Sequence, residues 1–149
     1  MTPTRVLPDL QCSLVCDEIR QEINGNLILL GVITVIRVPQ IPITLPQLFI
    51  FNRWTAGVGE FSESVRLLAP NGSVVRKSDV RFALRDPGHS ATNVSFFGGL
   101  EIAVQGVYSI EVLVDDVMKL RYALPFMHVP PPPQGQQGQP QPPQHPPAA

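Results

Sequence analysis

Apolar and polar residues alternate with a period of two along much of the chain, a pattern typical of β-strands that bury one face. Turn-forming sequences separate these segments, at Pro70-Asn71-Gly72, Asp86-Pro87-Gly88 and Asp115-Asp116. The predicted inward faces are Phe61, Val65 and Leu67; Val80, Phe82 and Leu84; Tyr108, Ile110, Val112 and Val114; and Leu120, Tyr122, Leu124 and Phe126. The last two segments are expected to form a hairpin with one face in the core.

The first third of the chain is less regular. Residues 10–16 predict a strand, and Asn24-Gly25 predicts a tight hairpin turn leading into residues 27–35. That second segment is apolar on both sides, which favours a central strand buried on both faces. Residues 17–23 either extend the first strand or form one helical turn.

Residues 38–46 contain three prolines and predict a loop that crosses between sheets, because proline cannot donate to a strand ladder. Residues 48–54 then predict the next strand. Seven or eight strands at roughly ten-residue spacing, with no helical periodicity, indicate an all-β, two-sheet antiparallel sandwich of the Ig-like or Greek-key type. Gly106-Val107-Tyr108 fits either a tyrosine corner, whose hydroxyl bonds to nearby backbone, or an ordinary core tyrosine.

Composition divides the 149-residue chain in two. Residues 130–149 contain mainly proline and glutamine and no charged residue, so they offer little apolar surface to offset the entropy of ordering. We therefore predict a β-sandwich domain over residues 1–129 and a disordered tail over residues 130–149. A domain of that length buries enough surface to fold without a disulfide or metal.

Charge and cysteine usage narrow the function classes. The net charge is −1 and basic residues form no run, which disfavours nucleic-acid and electrostatic membrane binding. Cys12 and Cys16 would lie about 13 Å apart in one strand, too far for a disulfide. Free thiols, a charged N-terminal segment and apolar runs too short to span a bilayer predict a cytoplasmic protein.

Two groups of residues resemble a known family. They are Leu14-Val15-Cys16-Asp17 followed by Asn24-Gly25-Asn26-Leu27 and Leu30-Gly31-Val32-Ile33, and Gly106-Val107-Tyr108 followed by Val112-Leu113-Val114-Asp115 and Leu124-Pro125-Phe126. Together they resemble the opening and closing hairpins of a family of small bacterial β-sandwich proteins of unknown function, over about residues 8–129. The resemblance implies a bacterial cytoplasmic sandwich and implies no activity.

Residues that could carry chemistry are few. His89, His128 and His145 have no partners at metal-ligand spacing. The cysteines lie in an apolar segment, where they are usually core residues. Phosphate-loop and nucleophile-elbow motifs are absent from the sequence. We therefore predict no enzymatic activity and no cofactor, although a site assembled from distant strands would leave no linear motif.

Two segments are candidates for partner binding. Asn52, Arg53 and Trp54 contain the only tryptophan beside an arginine, two residue types enriched in binding hot spots. The more common role of such a residue is that of a strand-end tryptophan that covers the edge of the core. Pro130, Pro131, Pro132 and Pro133 favour polyproline II, a form that aromatic grooves recognise. The leading hypothesis is a protein-interaction or adaptor module acting through an edge strand or the segment around Trp54. The alternative is a small-ligand module, for instance one that binds carbohydrate on Trp54. An edge strand could also pair with a second copy to form a homodimer.

Overall fold

A computed structural model describes residues 5–130 of the chain. Pro130 is the last of these, so Pro131, Pro132, Pro133 and the rest of the predicted tail lie outside the described residues, and the division at residue 129 stays a prediction. The strands are β1 Asp9–Gln21, β2 Leu27–Ile33, β3 Ile36–Val38, β4 Ile43–Thr55, β5 Gly59–Leu68, β6 Val74–Leu84, β7 Ser90–Ile102, β8 Gly106–Val114 and β9 Val117–His128.

The nine strands form two sheets, which confirms the predicted all-β sandwich. One sheet has the order β2-β1-β4-β7 and the other has the order β3-β9-β8-β5-β6. All pairs are antiparallel except β3 with β9, which is parallel. The strand count exceeds the predicted seven or eight, and the short strand β3 lies between the predicted strand over residues 27–35 and the predicted loop, outside both except for Val38. Residues 5–130 contain no helix and therefore no helix that could cross a membrane.

The core lies between the sheets and follows the predicted alternation, except that Leu120 was expected to face inward and is exposed. Tyr108, Ile110, Val112 and Val114 on β8 are all buried, and so are Leu124 and Phe126 on the paired strand β9. On its other face β8 also buries Glu111, which lies within 3.4 Å of Arg66 and 3.6 Å of Arg121 on the neighbouring strands. Strand β8 is therefore buried on both faces around Glu111 and Leu113, while Val107 near its start is exposed.

The segment from residue 27 to residue 35 departs from its prediction. It was expected to be a central strand buried on both faces, but β2 is the edge strand of its sheet and most of its residues are exposed. The prediction was wrong because an apolar segment indicates only that its side chains favour burial. It does not show whether another strand of the same fold or a binding partner covers them. The ambiguous residues before it are resolved as strand, because β1 continues to Gln21.

Proline placement gives a second departure. Pro46 was expected in a crossing loop, but it lies within β4, which begins at Ile43. The pairing of β1 with β4 ends at Phe49, so residues 43–48 have a strand neighbour only in β7. This stretch is locally an edge, where a strand tolerates a residue without an N–H.

The tyrosine corner is present. The Tyr108 hydroxyl donates to the Val104 carbonyl at 2.7 Å, and the ring packs on Phe126 with centroids 4.5 Å apart. Burial raises the pKa of this hydroxyl, which keeps it a donor. The hydrogen bond connects the start of β8 to the turn that precedes it.

Removing this hydroxyl tests the corner. We expect Tyr108→Phe to lower the free energy of unfolding by about 1 kcal/mol, because the ring contact with Phe126 survives and one hydrogen bond is lost. The loss is modest because Val104 is exposed and its carbonyl can be hydrated. Urea unfolding measures the change, and an unchanged midpoint at an unchanged slope would contradict a stabilising role.

Candidate functional site

The predicted segment around Trp54 divides between the core and the surface. Asn52 and Trp54 point into the sandwich and are fully buried, whereas Arg53 between them is exposed. The Trp54 Nε1 donates to the Glu63 carboxyl at 2.5 Å, and its ring stacks on Phe82 with centroids 5.6 Å apart. Trp54 is thus a core residue, and its predicted use as an exposed aromatic platform is contradicted by its burial.

Glu63 is the partner that sequence reasoning missed. It is fully buried on β5, where Oε2 accepts hydrogen bonds from Trp54 and from the side-chain amide of Asn93 at 3.0 Å. The alternation of residues along β5 does indicate that Glu63 points inward, because it lies two residues from both Phe61 and Val65 on the same face. Sequence reasoning did not identify it as buried, because a charged side chain is usually expected at the surface.

Arg53 lies at a cleft between the β1–β2 hairpin and the outer face of β4 and β7. The cleft has a volume of about 920 Å³. The Arg53 guanidinium donates to the Ser90 hydroxyl at 3.2 Å and makes no ion pair with any carboxylate in residues 5–130. The cleft is lined by Gln21, Glu22, Gly25, Asn26, Leu27, Leu29, Phe51, Arg53, Ser90, Thr92 and Val94.

The edge strand β2 forms the outer rim of this cleft and is unusual in composition. Its sequence is Leu-Ile-Leu-Leu-Gly-Val-Ile, without a charged residue, and its Val32 is 53% exposed. Leu27 and Leu29 line the cleft. Because only β1 pairs with β2, the backbone groups on the other side of β2 have no strand partner in residues 5–130.

The other edge strands of the described residues carry charges, which are a common protection against unwanted strand pairing. Strand β6 has Lys77, Asp79 and Arg81 along its length. Strand β7 has Glu101, and its Gly99 carbonyl accepts a weak hydrogen bond from Arg76 at 3.4 Å. The three-residue strand β3 has Arg37. Strand β2 therefore differs from every other edge in the part of the chain described.

The remaining candidates for chemistry do not converge. Burial, with a contribution from Asp17, raises the pKa of the Cys16 thiol, which opposes thiolate formation. His128 Nε2 lies 3.1 Å from the Pro39 carbonyl, and His89 is exposed in a turn. Within residues 5–130 no three histidine, cysteine or acidic side chains group as metal ligands.

The Asp115-Asp116 turn has a structural role. Both residues adopt positive φ angles, 47° and 64°, as expected at a tight hairpin turn. Asp115 accepts a hydrogen bond from the Ser62 backbone at 2.9 Å and pairs with Arg5. Its carboxylate is thereby occupied within the fold.

Comparison with known proteins gives a family and one distant structural similarity. No curated protein matches the chain. An immunoglobulin-like protein from Pseudomonas aeruginosa, solved by crystallography at 1.50 Å, is similar at 15% identity with a TM-score of 0.42, over 81% of this chain and 97% of that one. Residues 11–127 match the family described as "Family of unknown function (DUF6941)". The matched range contains both hairpins whose sequences resemble a known family. The chain belongs to this family of unknown function.

Proposed function

We propose that this domain is a non-enzymatic protein-interaction module that binds an extended segment of another protein along β2. The observation that carries the proposal is the edge position of β2 together with its exposure and its lack of charge. An exposed apolar edge presents unpaired N–H and C=O groups in the spacing that a further strand requires. Strand addition of this kind is a common mode of peptide recognition.

The cleft supplies a source of specificity. In strand addition, main-chain hydrogen bonds provide affinity and pockets for alternate side chains provide selectivity. Side chains on one face of an added strand would lie beside Leu27 and Leu29, over the cleft that contains Phe51 and Arg53. The favoured partner segment is therefore extended and apolar at alternate positions, with one carboxylate placed to reach Arg53. Glu22 in the same cleft disfavours further acidic residues.

The carbohydrate-binding alternative has less support. It depended on Trp54 as an exposed platform, and Trp54 is buried with its Nε1 bonded to Glu63. A homodimer through β2 remains a second use of the same edge, since antiparallel pairing of two copies about Leu30 would align apolar residues with apolar residues. Bacterial origin, cytoplasmic location and a binding role for Pro130 to Pro133 stay predictions.

Two valines allow a matched test of the edge. Val32 on β2 and Val74 on β6 are both 53% exposed, and both lie on edge strands. A lysine at Val32 places a charge on the apolar edge, whereas a lysine at Val74 adds one to an edge that already has several. Displayed random peptides of about twelve residues, selected on the full chain, would provide the ligands.

We expect the selected peptides to bind wild type and Val74→Lys equally in fluorescence anisotropy. Their affinity for Val32→Lys should fall at least about tenfold, which corresponds to ~1.4 kcal/mol. Sedimentation velocity on the three proteins would show whether a second copy competes for the edge. Failure to select any peptide, or peptides that bind Val32→Lys as tightly as wild type, would overturn the proposal.

A further inference from the structure

A layer of polar side chains crosses the interior of the sandwich. Ser13 on β1 pairs in register with Asn52 on β4, which pairs in turn with Asn93 on β7. Residues opposite each other on neighbouring strands share a face, so these three side chains form one row pointing inward. The opposite sheet contributes Tyr122 and Glu63 to the same layer. Buried polar residues of this kind are the minority, and the buried side chains around them include the hydrophobic cluster of Ile50, Trp54 and Val112.

The two ends of the row are hydrogen-bonded across the core. The Ser13 hydroxyl lies 2.8 Å from the Tyr122 hydroxyl. The Asn93 amide donates to Glu63 Oε2 at 3.0 Å. Burial raises the pKa of Tyr122 to about 12, so its hydroxyl keeps its proton. Each end therefore connects the two sheets through one direct contact.

The middle of the row lacks such a contact. Asn52 is fully buried, yet neither Oδ1 nor Nδ2 has a hydrogen-bond partner within residues 5–130. Glu63 Oε1 and the hydroxyl of Ser95, which is 2% exposed, are also without partners there. Ser95 follows Asn93 by two residues on the same inward face of β7, diagonal to Asn52. Four unpaired polar atoms thus belong to neighbouring inward-facing residues.

Leaving these groups unpaired would be costly. An unsatisfied buried polar group costs on the order of 1–3 kcal/mol, so native proteins satisfy nearly all of them with protein atoms or ordered water. Within the sheet, directly opposite Cβ atoms lie ~5 Å apart and diagonal ones ~7–8 Å, which are the relations of Asn93 and Ser95 to Asn52 and which one or two bridging waters can span. The carboxyl group of Glu63 adjoins this row because it accepts a hydrogen bond from Asn93. Buried waters typically make about three hydrogen bonds, a number this set of donors and acceptors provides.

We infer that the sandwich contains an internal water site between Asn52, Glu63 and Ser95. Bound water accepts from Asn52 Nδ2 or Ser95 and donates to Asn52 Oδ1 or Glu63 Oε1. It extends the Asn93–Glu63 pair to Asn52 and Ser95, and so connects the middle of the row to the opposite sheet. A polar network that is fully satisfied favours a single alignment of the elements that contribute to it. The water thus helps to fix the alignment of the two sheets relative to each other.

The sign of a stability change separates a hydrated site from a dry one. Asn52→Leu keeps the number and branching of the side-chain heavy atoms and removes both unpaired groups of the asparagine. If water is bound, this change removes its main partners and strands Glu63 Oε1 and Ser95, so the melting temperature should fall by about 4 °C or more. If the site is dry, removing two unpaired polar atoms should raise the melting temperature instead.

Nuclear magnetic resonance on the wild-type chain gives an independent readout that does not depend on the variant folding. A water-selective NOESY experiment should show persistent cross-peaks between water and the Asn52 side-chain amide. The exposed Asn71 amide serves as the control for fast-exchanging surface water. Absence of long-lived water at Asn52, or a higher melting temperature for Asn52→Leu, would overturn the inference.

Discussion

Replacing Trp54 with alanine is expected to lower the free energy of unfolding by about 3–5 kcal/mol, the range typical of deleting a large aromatic side chain from a core. Trp54 is fully buried, stacks on Phe82 and donates to Glu63, so the substitution leaves a cavity and removes one of the two donors to the Glu63 carboxyl. Urea unfolding of both proteins measures the difference.

The neighbouring residue provides the control for this substitution. Arg53 is exposed and its only side-chain hydrogen bond within residues 5–130 goes to the Ser90 hydroxyl, so Arg53→Ala should stay within about 0.5 kcal/mol of wild type. A near-neutral Trp54→Ala would show that the ring is not packed as described. Because Trp54 is a core residue, a loss of ligand binding by Trp54→Ala would reflect damaged packing. Binding by this variant is therefore interpreted only after its folded state has been confirmed.

Replacing Glu63 with alanine is expected to cost about 3 kcal/mol. The change removes the common acceptor of the Trp54 indole and the Asn93 amide, and each buried donor left unpaired costs on the order of 1–3 kcal/mol. Glu63→Gln is the matched variant, because its carbonyl oxygen can still accept both bonds. We expect a loss of only about 1 kcal/mol for that variant.

Equal destabilisation by alanine and glutamine at Glu63 would contradict this role. It would indicate that the carboxyl group acts through its charge and not as a shared acceptor, because glutamine keeps both the volume and an acceptor oxygen. A double-mutant cycle with Trp54→Phe, which keeps a ring and lacks the indole N–H, would isolate the energy of the single bond between these residues. We expect a coupling energy of about 1 kcal/mol or more in that cycle.

Alternation in the sequence predicted the strands of the second half of the chain because each has one face in the core. Strand β6 agrees with its predicted Val74-to-Leu84 range, and Tyr108 makes the backbone contact expected of a tyrosine corner. These features are local, since each depends on residues close together in the chain or on a period of two. Local patterns are what a single sequence expresses most clearly.

Features that depend on distant pairing were not predictable in the same way. The apolar segment containing β2 was assigned to the centre of a sheet, because composition does not distinguish an edge from an interior strand. The neighbours of Asn52, which are Ser13 and Asn93, are separated from it by about forty residues on either side in the sequence. Their meeting follows from the strand order and register, which no linear motif encodes.

The most direct test of the proposed interaction edge is hydrogen exchange of the β2 amides, with and without a selected peptide. In the isolated monomer we expect the N–H groups on the unpaired side of β2 to exchange rapidly, since only β1 pairs with this strand. In the complex these amides should become protected, while the outer amides of β6 stay unchanged. Protection of β2 that is already complete in the free monomer, or protection by the peptide only at other strands, would contradict the account.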